Sequence, residues 1–151
     1  MIMVCDKQSA QCDASLLKQI DAFRQAASET LDPDLRPALG QYLTPLSMAI
    51  FMASLFSKIR KNLHLIDAGA GAGILSAATI CAYLERKNPP STIKITAFEI
   101  DPKLTDYLQQ AYELCATVCR KRNVLFEFNI IKDDFINYAV NVLRADMFAP
   151  A

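Results

Sequence analysis

Hydrophobic positions recur at helical spacing in the first third of the chain. Between residues 16 and 27 the apolar side chains follow the period of an amphipathic helix, and Asp13 is placed to cap its start. Two prolines within residues 31–37 end that helix. A second, strongly apolar stretch predicts a helix over residues 46–59, with Thr44 as its cap. The pattern therefore predicts two N-terminal helices.

From residue 63 onward, short apolar runs alternate with segments of helical length. The predicted strands cover residues 63–66, 93–100 and 124–131, and the predicted helices cover 74–86, 102–122 and 134–143. Strands that alternate with helices in this way pair in parallel through right-handed crossovers. The pattern predicts an α/β fold with a Rossmann-like, doubly wound parallel sheet of about three strands, preceded by the N-terminal helices. Three strands form only half of such a sheet.

The sequence D-A-G-A-G-A-G at residues 67–73 lies between the first predicted strand and the following helix. Glycines at that position let a ligand approach the backbone and the helix N-terminus. A dinucleotide fingerprint would place its third glycine at position 74, where this chain has isoleucine, and no P-loop lysine follows the run. Asp67 would repel a pyrophosphate but attract an ammonium group. S-adenosylmethionine carries an amino group and no phosphate, so this run suits it best.

Glu99, at the end of the second predicted strand, supports a nucleoside ligand. In a doubly wound sheet, an acid at that position can accept hydrogen bonds from both ribose hydroxyls. NAD enzymes use the same position, so Glu99 does not separate the two cofactors. Simpler roles also remain open. The glycine run can be a tight connection, Asp67 a helix cap and Glu99 a solvated carboxylate.

Composition narrows the choice of partners. Sixteen basic and sixteen acidic side chains cancel, so the chain has no strong electrostatic footprint for nucleic acid. Three consecutive cations at 120–122 more often complement a helix dipole than contact DNA.

Five cysteines without metal-ligand spacing predict reduced thiols, no metal site and a cytoplasmic location. No apolar stretch reaches the ~20 residues of a membrane span, and the N-terminus lacks the features of a signal peptide.

Four stretches together resemble the class I S-adenosylmethionine-dependent methyltransferases. More narrowly, they are similar to the N-terminal cofactor-binding part of the adenine-N6 DNA methyltransferases of bacterial restriction–modification systems. The resemblance implies an N-terminal helical segment at 1–37 and a Rossmann-like half domain at 38–151. Its stretches are G-Q-Y-L-T-P with the helix that follows it (39–56), the cofactor loop (65–78), I-T-A-F-E-I-D-P (95–102) and K-D-D-F (132–135).

The resemblance also implies which side chains would hold the methionine end of S-adenosylmethionine. Tyr42, Thr44 and Pro45 would line it, and Asp67 would meet its amino group. Three glycines would let the cofactor lie against the turn. They are Gly69, Gly71 and Gly73. Taken alone, Tyr42 also suits a hydrophobic core.

At the nucleoside end, the resemblance implies that Glu99 would hold the ribose and Ile100 would pack on the adenine. Asp134 would accept a hydrogen bond from the adenine amino group, with Phe135 against the ring. Taken alone, Asp134 and Phe135 also suit a helix cap followed by a hydrophobic anchor, and Thr44 suits an ordinary cap.

The catalytic motif of that family, [NDS]-P-P-[YFW], holds and stacks the flipped-out adenine after the fourth strand. The N-P-P at residues 88–90 precedes the second predicted strand, at the sheet edge opposite the ligand-binding edge, and serine follows it. We therefore expect a chain that is inactive alone and binds DNA weakly or not at all. A methyltransferase for another substrate, or a non-catalytic remnant or assembly module, is the alternative. The free edge of a three-stranded sheet predicts self-association or marginal stability. The expected partner is therefore a second copy of the chain or a missing C-terminal polypeptide.

Overall fold

The computed structural model describes residues 7–34, 41–58 and 61–147 of the chain. Within these ranges the backbone forms five helices and three strands. In chain order they are α1 (Lys7–Thr30), α2 (Leu46–Ser54), β1 (Asn62–Ala68), α3 (Ile74–Leu84), β2 (Thr92–Phe98), α4 (Pro102–Lys121), β3 (Leu125–Ile131) and α5 (Phe135–Met147). The predicted domain boundary at residue 37 lies outside the described residues.

The three strands form one parallel sheet in the order β1-β2-β3. Thr92 of β2 pairs with Asn62 of β1 and with Leu125 of β3, so the strands start level with one another. Their carboxyl ends therefore lie at one edge of the sheet, which is where open α/β sheets bind ligands. In the described part of the chain, the predicted Rossmann-like parallel sheet is confirmed.

The main core lies between the sheet and helices α3 and α4. Ile93 and Ile95 of the central strand are fully buried in it, because β2 is covered by a strand on each side and by helices above. Phe98 points to the opposite face of the sheet. There it packs on Phe135 and Tyr138 of α5, with ring centroids 5.1 and 4.9 Å apart. Helices thus lie on both faces, as a doubly wound sheet requires.

Helix α1 is part of the same core. Leu16 and Ile20 are buried among the core residues, and the helix packs against α3 and α4. Phe23 lies near Tyr107 of α4, with ring centroids 6.2 Å apart. This contact brings the second half of α1 close to the edge of the sheet at which α4 begins.

The predicted start of α1 and the predicted cap of α2 are wrong, whereas α2 begins at Leu46 as predicted. Helix α1 begins at Lys7, so Asp13 lies inside it, because the residues before Asp13 contain no proline or glycine that would stop the helix. Helix α2 has Pro45 as its N-cap, with extended backbone angles of −63° and 150°, and no side chain caps it. Thr44 is therefore not the cap of α2, and the helix also ends earlier than predicted, at Ser54.

Other local predictions are confirmed. Asp101 caps α4, since its side chain accepts a hydrogen bond from the Lys103 N–H at 2.8 Å. The N-P-P segment at 88–90 lies just before β2, at the edge opposite the glycine turn. No helix in the described ranges is long and apolar enough to cross a membrane.

Candidate functional site

The glycine run forms the turn that joins β1 to α3. Gly69, Gly71 and Gly73 have φ angles of +79°, +57° and +81°, a left-handed conformation that residues with a Cβ atom rarely adopt. A Cβ atom at Gly69 would meet nothing within 4 Å, so the backbone faces open space there. A Cβ atom at Gly73 would lie 2.8 Å from Leu108 Cδ1. Gly69 therefore suits the approach of a ligand, whereas Gly73 allows α3 and α4 to pack closely.

Glu99 joins the glycine turn to the end of β2. Only 7% of the residue is exposed. Its Oε2 accepts from the Gly71 N–H at 2.8 Å, and its Oε1 accepts from the Asp101 N–H at 2.9 Å. Each carboxylate oxygen can accept a second hydrogen bond, so the group can still bind a pair of hydroxyls. The two backbone bonds hold the carboxylate in one orientation before any ligand arrives, which lowers the cost of binding.

A cleft of about 630 Å³ opens at the carboxyl edge of the sheet beside Glu99. This volume lies within the ~300–1,000 Å³ range of small-molecule sites. Ile100 and Ile136 line the cleft with 63% and 70% of each residue exposed, which offers apolar surface to a flat ring. Seven of the predicted cofactor-binding residues line it: Tyr42, Gly69, Gly71, Glu99, Ile100, Asp134 and Phe135.

A smaller pocket of about 60 Å³ adjoins the cleft on the side of α1 and the 42–44 segment. The cleft and the small pocket share four lining residues, namely Tyr42, Leu43, Gly69 and Gly71. Thr44 and Asp67, both predicted to lie at the methionine end of the cofactor, line the small pocket. The structure thus places the two ends of the predicted site in neighbouring cavities.

Two hydroxyl groups in series orient Asp67. Ser76 donates to Asp67 Oδ2, and Tyr112 donates to Ser76 Oγ at 3.2 Å. Both Ser76 and Tyr112 are buried. Burial raises the pKa of the Asp67 carboxyl, and the Ser76 hydrogen bond offsets part of that increase. A desolvated carboxylate of this kind gains more from a cationic partner than an exposed one does.

The remaining predicted residues have structural contacts. Pro45 and Gly73 line neither cavity. Asp134 lines the cleft, but its Oδ1 also accepts from the Asn137 N–H at 2.8 Å, so it caps α5. Phe135 lines the cleft and packs edge-on against the aromatic end of β2. The helix-cap interpretation of Asp134 is therefore confirmed, while a bond to an adenine stays a prediction.

The structure adds residues that the sequence reasoning did not select. Gln41 lines the cleft and donates from Nε2 to Asp101 Oδ2 at 2.7 Å, which ties the 41–45 segment to α4. Arg24 of α1 lines the small pocket. Ser76 and Tyr112 orient Asp67 across 36 residues of sequence. Gln41 could have been selected from its place in G-Q-Y-L-T-P, but no local pattern marks the other three.

No three histidine, cysteine, aspartate or glutamate side chains come together as a metal site in the ranges that the structure describes. Cys81, Cys115 and Cys119 are buried thiols that form no disulfide bond. Burial raises the pKa of the Cys115 thiol well above its ordinary value, so it stays protonated. These cysteines act as core residues.

The fold and the site together define a class of protein. A parallel sheet in the order β1-β2-β3, a glycine turn after β1 and a buried acid after β2 form the α/β Rossmann-like arrangement of a partial methyltransferase fold. The cleft lies at the edge where that class of sheet binds its ligand.

Comparison with known proteins agrees with this class. The chain is 32% identical over 142 residues to the type II methyltransferase M.PstI of Providencia stuartii, an alignment that covers 94% of this chain and 28% of that protein. It is 33% identical over 125 residues to the type II methyltransferase M.BsuBI of Bacillus subtilis, which covers 82% of this chain and 23% of that protein. The resemblance to class I S-adenosylmethionine-dependent methyltransferases is therefore confirmed.

The chain spans about a quarter of the length of these two relatives. No protein-family model matches the chain. No solved structure matches it either.

Proposed function

We propose that this chain is the S-adenosylmethionine-binding region of a DNA adenine-N6 methyltransferase of a restriction–modification system. The observation that carries the proposal is Glu99, a buried carboxylate fixed by two backbone N–H groups between the glycine turn and the cleft. Its free lone pairs suit a ribose diol. The likeness to two type II methyltransferases supports the choice of class.

In this proposal the cofactor spans both cavities. Glu99 accepts from the ribose hydroxyls in the cleft, and Ile100 packs against the adenine. The backbone at Gly69, which faces open space, lets the cofactor lie against the turn. Asp67 and Thr44 surround the amino-acid end in the small pocket. S-adenosylmethionine itself supplies the methyl group, and the residues of this chain bind and orient it.

The described residues bind rather than catalyse in this account. An acceptor motif for the target base, [NDS]-P-P-[YFW], does not occur in the sequence, and the N-P-P at 88–90 lies at the wrong edge of the sheet. We therefore expect this chain alone to bind the cofactor without methylating DNA. Its balanced charge predicts weak or no binding to DNA.

Calorimetry with S-adenosylhomocysteine, S-adenosylmethionine and NADH tests the proposal. We expect heat with the first two and none with NADH. Asp67→Ala and Glu99→Ala should each weaken binding by about 1.5–3 kcal/mol, because each removes a charge-assisted hydrogen bond. Glu127→Ala, at an exposed position of β3, is the matched control and should bind like the parent. Absence of binding would favour a remnant or assembly module, and NADH binding would favour an oxidoreductase.

A methyltransferase for a small molecule, RNA or protein is the second candidate. It would share the glycine turn and Glu99, but the G-Q-Y-L-T-P segment resembles the DNA enzymes. Gln41 of that segment bonds to Asp101 and lines the cleft. The resemblance of this segment is what favours the DNA enzymes over the second candidate.

We also propose that the outer edge of β1 contacts a second copy of this chain. In the described residues β1 pairs only with β2, and Ile66 of β1 is 64% exposed. Beside it, Met52, Leu55 and Phe56 line an apolar pocket of about 270 Å³ with their side chains partly in solvent. An open edge next to an apolar surface favours strand addition or self-association.

Light scattering over a range of concentrations tests this surface. The parent chain should self-associate as concentration rises, and Ile66→Lys should reduce the association, because it places a charge beside the open edge. Leu125→Lys, at an exposed apolar position of β3, is the control. A parent chain that stays monomeric at every concentration would contradict the proposal.

A further inference from the structure

The small pocket beside the glycine turn carries opposite charges on two of its walls. Asp67 of β1 supplies the negative charge, and Arg24 of α1 supplies the positive charge. Arg24 lies in α1, outside the four stretches that resemble methyltransferases. A pocket with both charges is complementary to a zwitterion, such as the α-amino and carboxylate end of an amino acid.

Core packing holds Arg24 at this position. Its neighbours on α1 include Ala27, which is fully buried, and Phe23, which lies on Tyr107. The guanidinium is largely covered, with 17% of the side chain exposed. Arg24 is therefore presented to the pocket by the folded core.

A salt bridge with Asp21 on the same helix also orients the guanidinium. Nε of Arg24 donates to Asp21 Oδ1 at 2.6 Å, and Gln25 donates to the other oxygen of Asp21 at 2.8 Å. Among the described residues, no hydrogen bond occupies the two Nη groups of Arg24. A guanidinium bound through Nε still presents its Nη pair as a planar fork that matches a carboxylate.

The sizes and the shared walls of the two cavities indicate which end of the ligand lies in the small pocket. The cleft and the small pocket meet at Tyr42, Leu43, Gly69 and Gly71. With about 60 Å³, the small pocket suits the end of a ligand whose nucleoside lies in the 630 Å³ cleft. An ammonium group can bind Asp67, but a carboxylate beside Asp67 would be repelled unless a cation faced it. Among the described residues that line this pocket, Arg24 is the only arginine or lysine, so it is the cation that can face the carboxylate.

We propose that Arg24 binds the carboxylate at the amino-acid end of the cofactor, while Asp67 binds the ammonium group. This inference rests on the proposed function, because it takes S-adenosylmethionine as the ligand. It adds α1 to the cofactor site. It also explains why the site would prefer ligands that carry both the ammonium group and the carboxylate, because Asp67 and Arg24 each bind one of them.

The test compares three ligands that differ only in the amino-acid end. S-adenosylhomocysteine has both charges, its decarboxylated analogue 5′-(3-aminopropylthio)-5′-deoxyadenosine has only the ammonium group, and 5′-methylthioadenosine has neither. Calorimetry measures each with the full chain as parent, Arg24→Met and Asp67→Asn. Arg120→Met, which removes an exposed arginine from the end of α4, is the matched control.

Arg24→Met should lower the affinity for S-adenosylhomocysteine by about 10- to 100-fold, which is the range for charge-assisted hydrogen bonds. It should leave the affinity for the decarboxylated analogue unchanged. Asp67→Asn should lower the affinity for S-adenosylhomocysteine and for the decarboxylated analogue, but should leave the affinity for 5′-methylthioadenosine unchanged. Arg120→Met should bind all three like the parent. Thermal melts of each variant show whether the fold is retained.

Three results would contradict the inference in different ways. If Arg24→Met weakened all three ligands equally, Arg24 would act through the fold. If the parent bound S-adenosylhomocysteine and Arg24→Met bound it equally well, the carboxylate would have another partner, while the proposed function would stand. If the parent bound none of the ligands, the proposed function would fail together with the role of Arg24.

Discussion

Replacement of Glu99 by glutamine tests the link between the glycine turn and the end of β2. Glu99 is 7% exposed and accepts hydrogen bonds from the N–H groups of Gly71 and Asp101. In Glu99→Gln one of the two acceptor oxygens becomes an NH₂ group. Whichever way the amide turns, one backbone N–H then faces another donor.

The expected loss of folding stability in Glu99→Gln follows from these two hydrogen bonds. One charge-assisted hydrogen bond is lost and the other becomes a neutral one, which should lower the free energy of unfolding by about 2–4 kcal/mol. For a chain of this size, that corresponds to a melting temperature lower by roughly 5–15 °C. Glu113→Gln is the control, since Glu113 is exposed and its carboxylate accepts from the side chain of Gln109, one turn earlier on the same helix. Its melting temperature should change little.

Differential scanning fluorimetry and calorimetric titration with S-adenosylhomocysteine separate the two roles of Glu99. We expect a lower melting temperature and binding that is weaker by about tenfold or more, because a carboxylate accepts from both ribose hydroxyls and an amide does not. A Glu99→Gln variant with the same melting temperature as the parent would refute the role of Glu99 in joining the glycine turn to the end of β2. One that melts lower but binds the cofactor equally well would refute the ribose contact.

Further substitutions test the glycine turn and Asp67. Gly73→Ala should be less stable than Gly69→Ala by about 1–3 kcal/mol, because both have positive φ but only the Cβ at Gly73 meets Leu108, at 2.8 Å. Equal chemical denaturation midpoints would contradict this. Burial raises the pKa of Asp67, so the folded state holds its proton more tightly than the unfolded state does, whose pKa is about 3.9. The parent should therefore lose stability relative to Asp67→Asn as the pH rises from about 4 through the raised pKa, and thermal melts from pH 4 to 8 that differ by a constant amount would contradict this.

The order of the helices and strands could be predicted because each follows from a local pattern. The central strand alternates buried Ile93, Ile95 and Ala97 with more exposed Lys94 and Thr96, which is the period of a strand. Asp101 followed by Pro102 is a local helix-start signal. The start of α1 could not be predicted in the same way. The described helix already includes Lys7, ahead of the apolar stripe that marks it, because backbone propensity can continue a helix beyond its buried face.

The candidate site could be predicted only where a contact is encoded in neighbouring residues. The glycine run and Glu99 stand out in the sequence, but the bond from Gly71 to Glu99 joins residues 28 positions apart. The contact between Tyr112 and Ser76 spans 36 positions. The position of Arg24 beside the glycine turn depends on how α1 packs against α3 and α4. These contacts come from tertiary packing, which periodicity and spacing do not record.

The most direct test of the central claim is an experimental structure of the chain with S-adenosylhomocysteine bound. We expect the ribose hydroxyls within hydrogen-bonding distance of the Glu99 carboxylate, the adenine against Ile100, and the amino-acid end beside Asp67. The ligand would then occupy the cleft and the small pocket together. A ligand located elsewhere, for example in the apolar pocket beside Phe56, with Glu99 bound only to the backbone, would contradict the account.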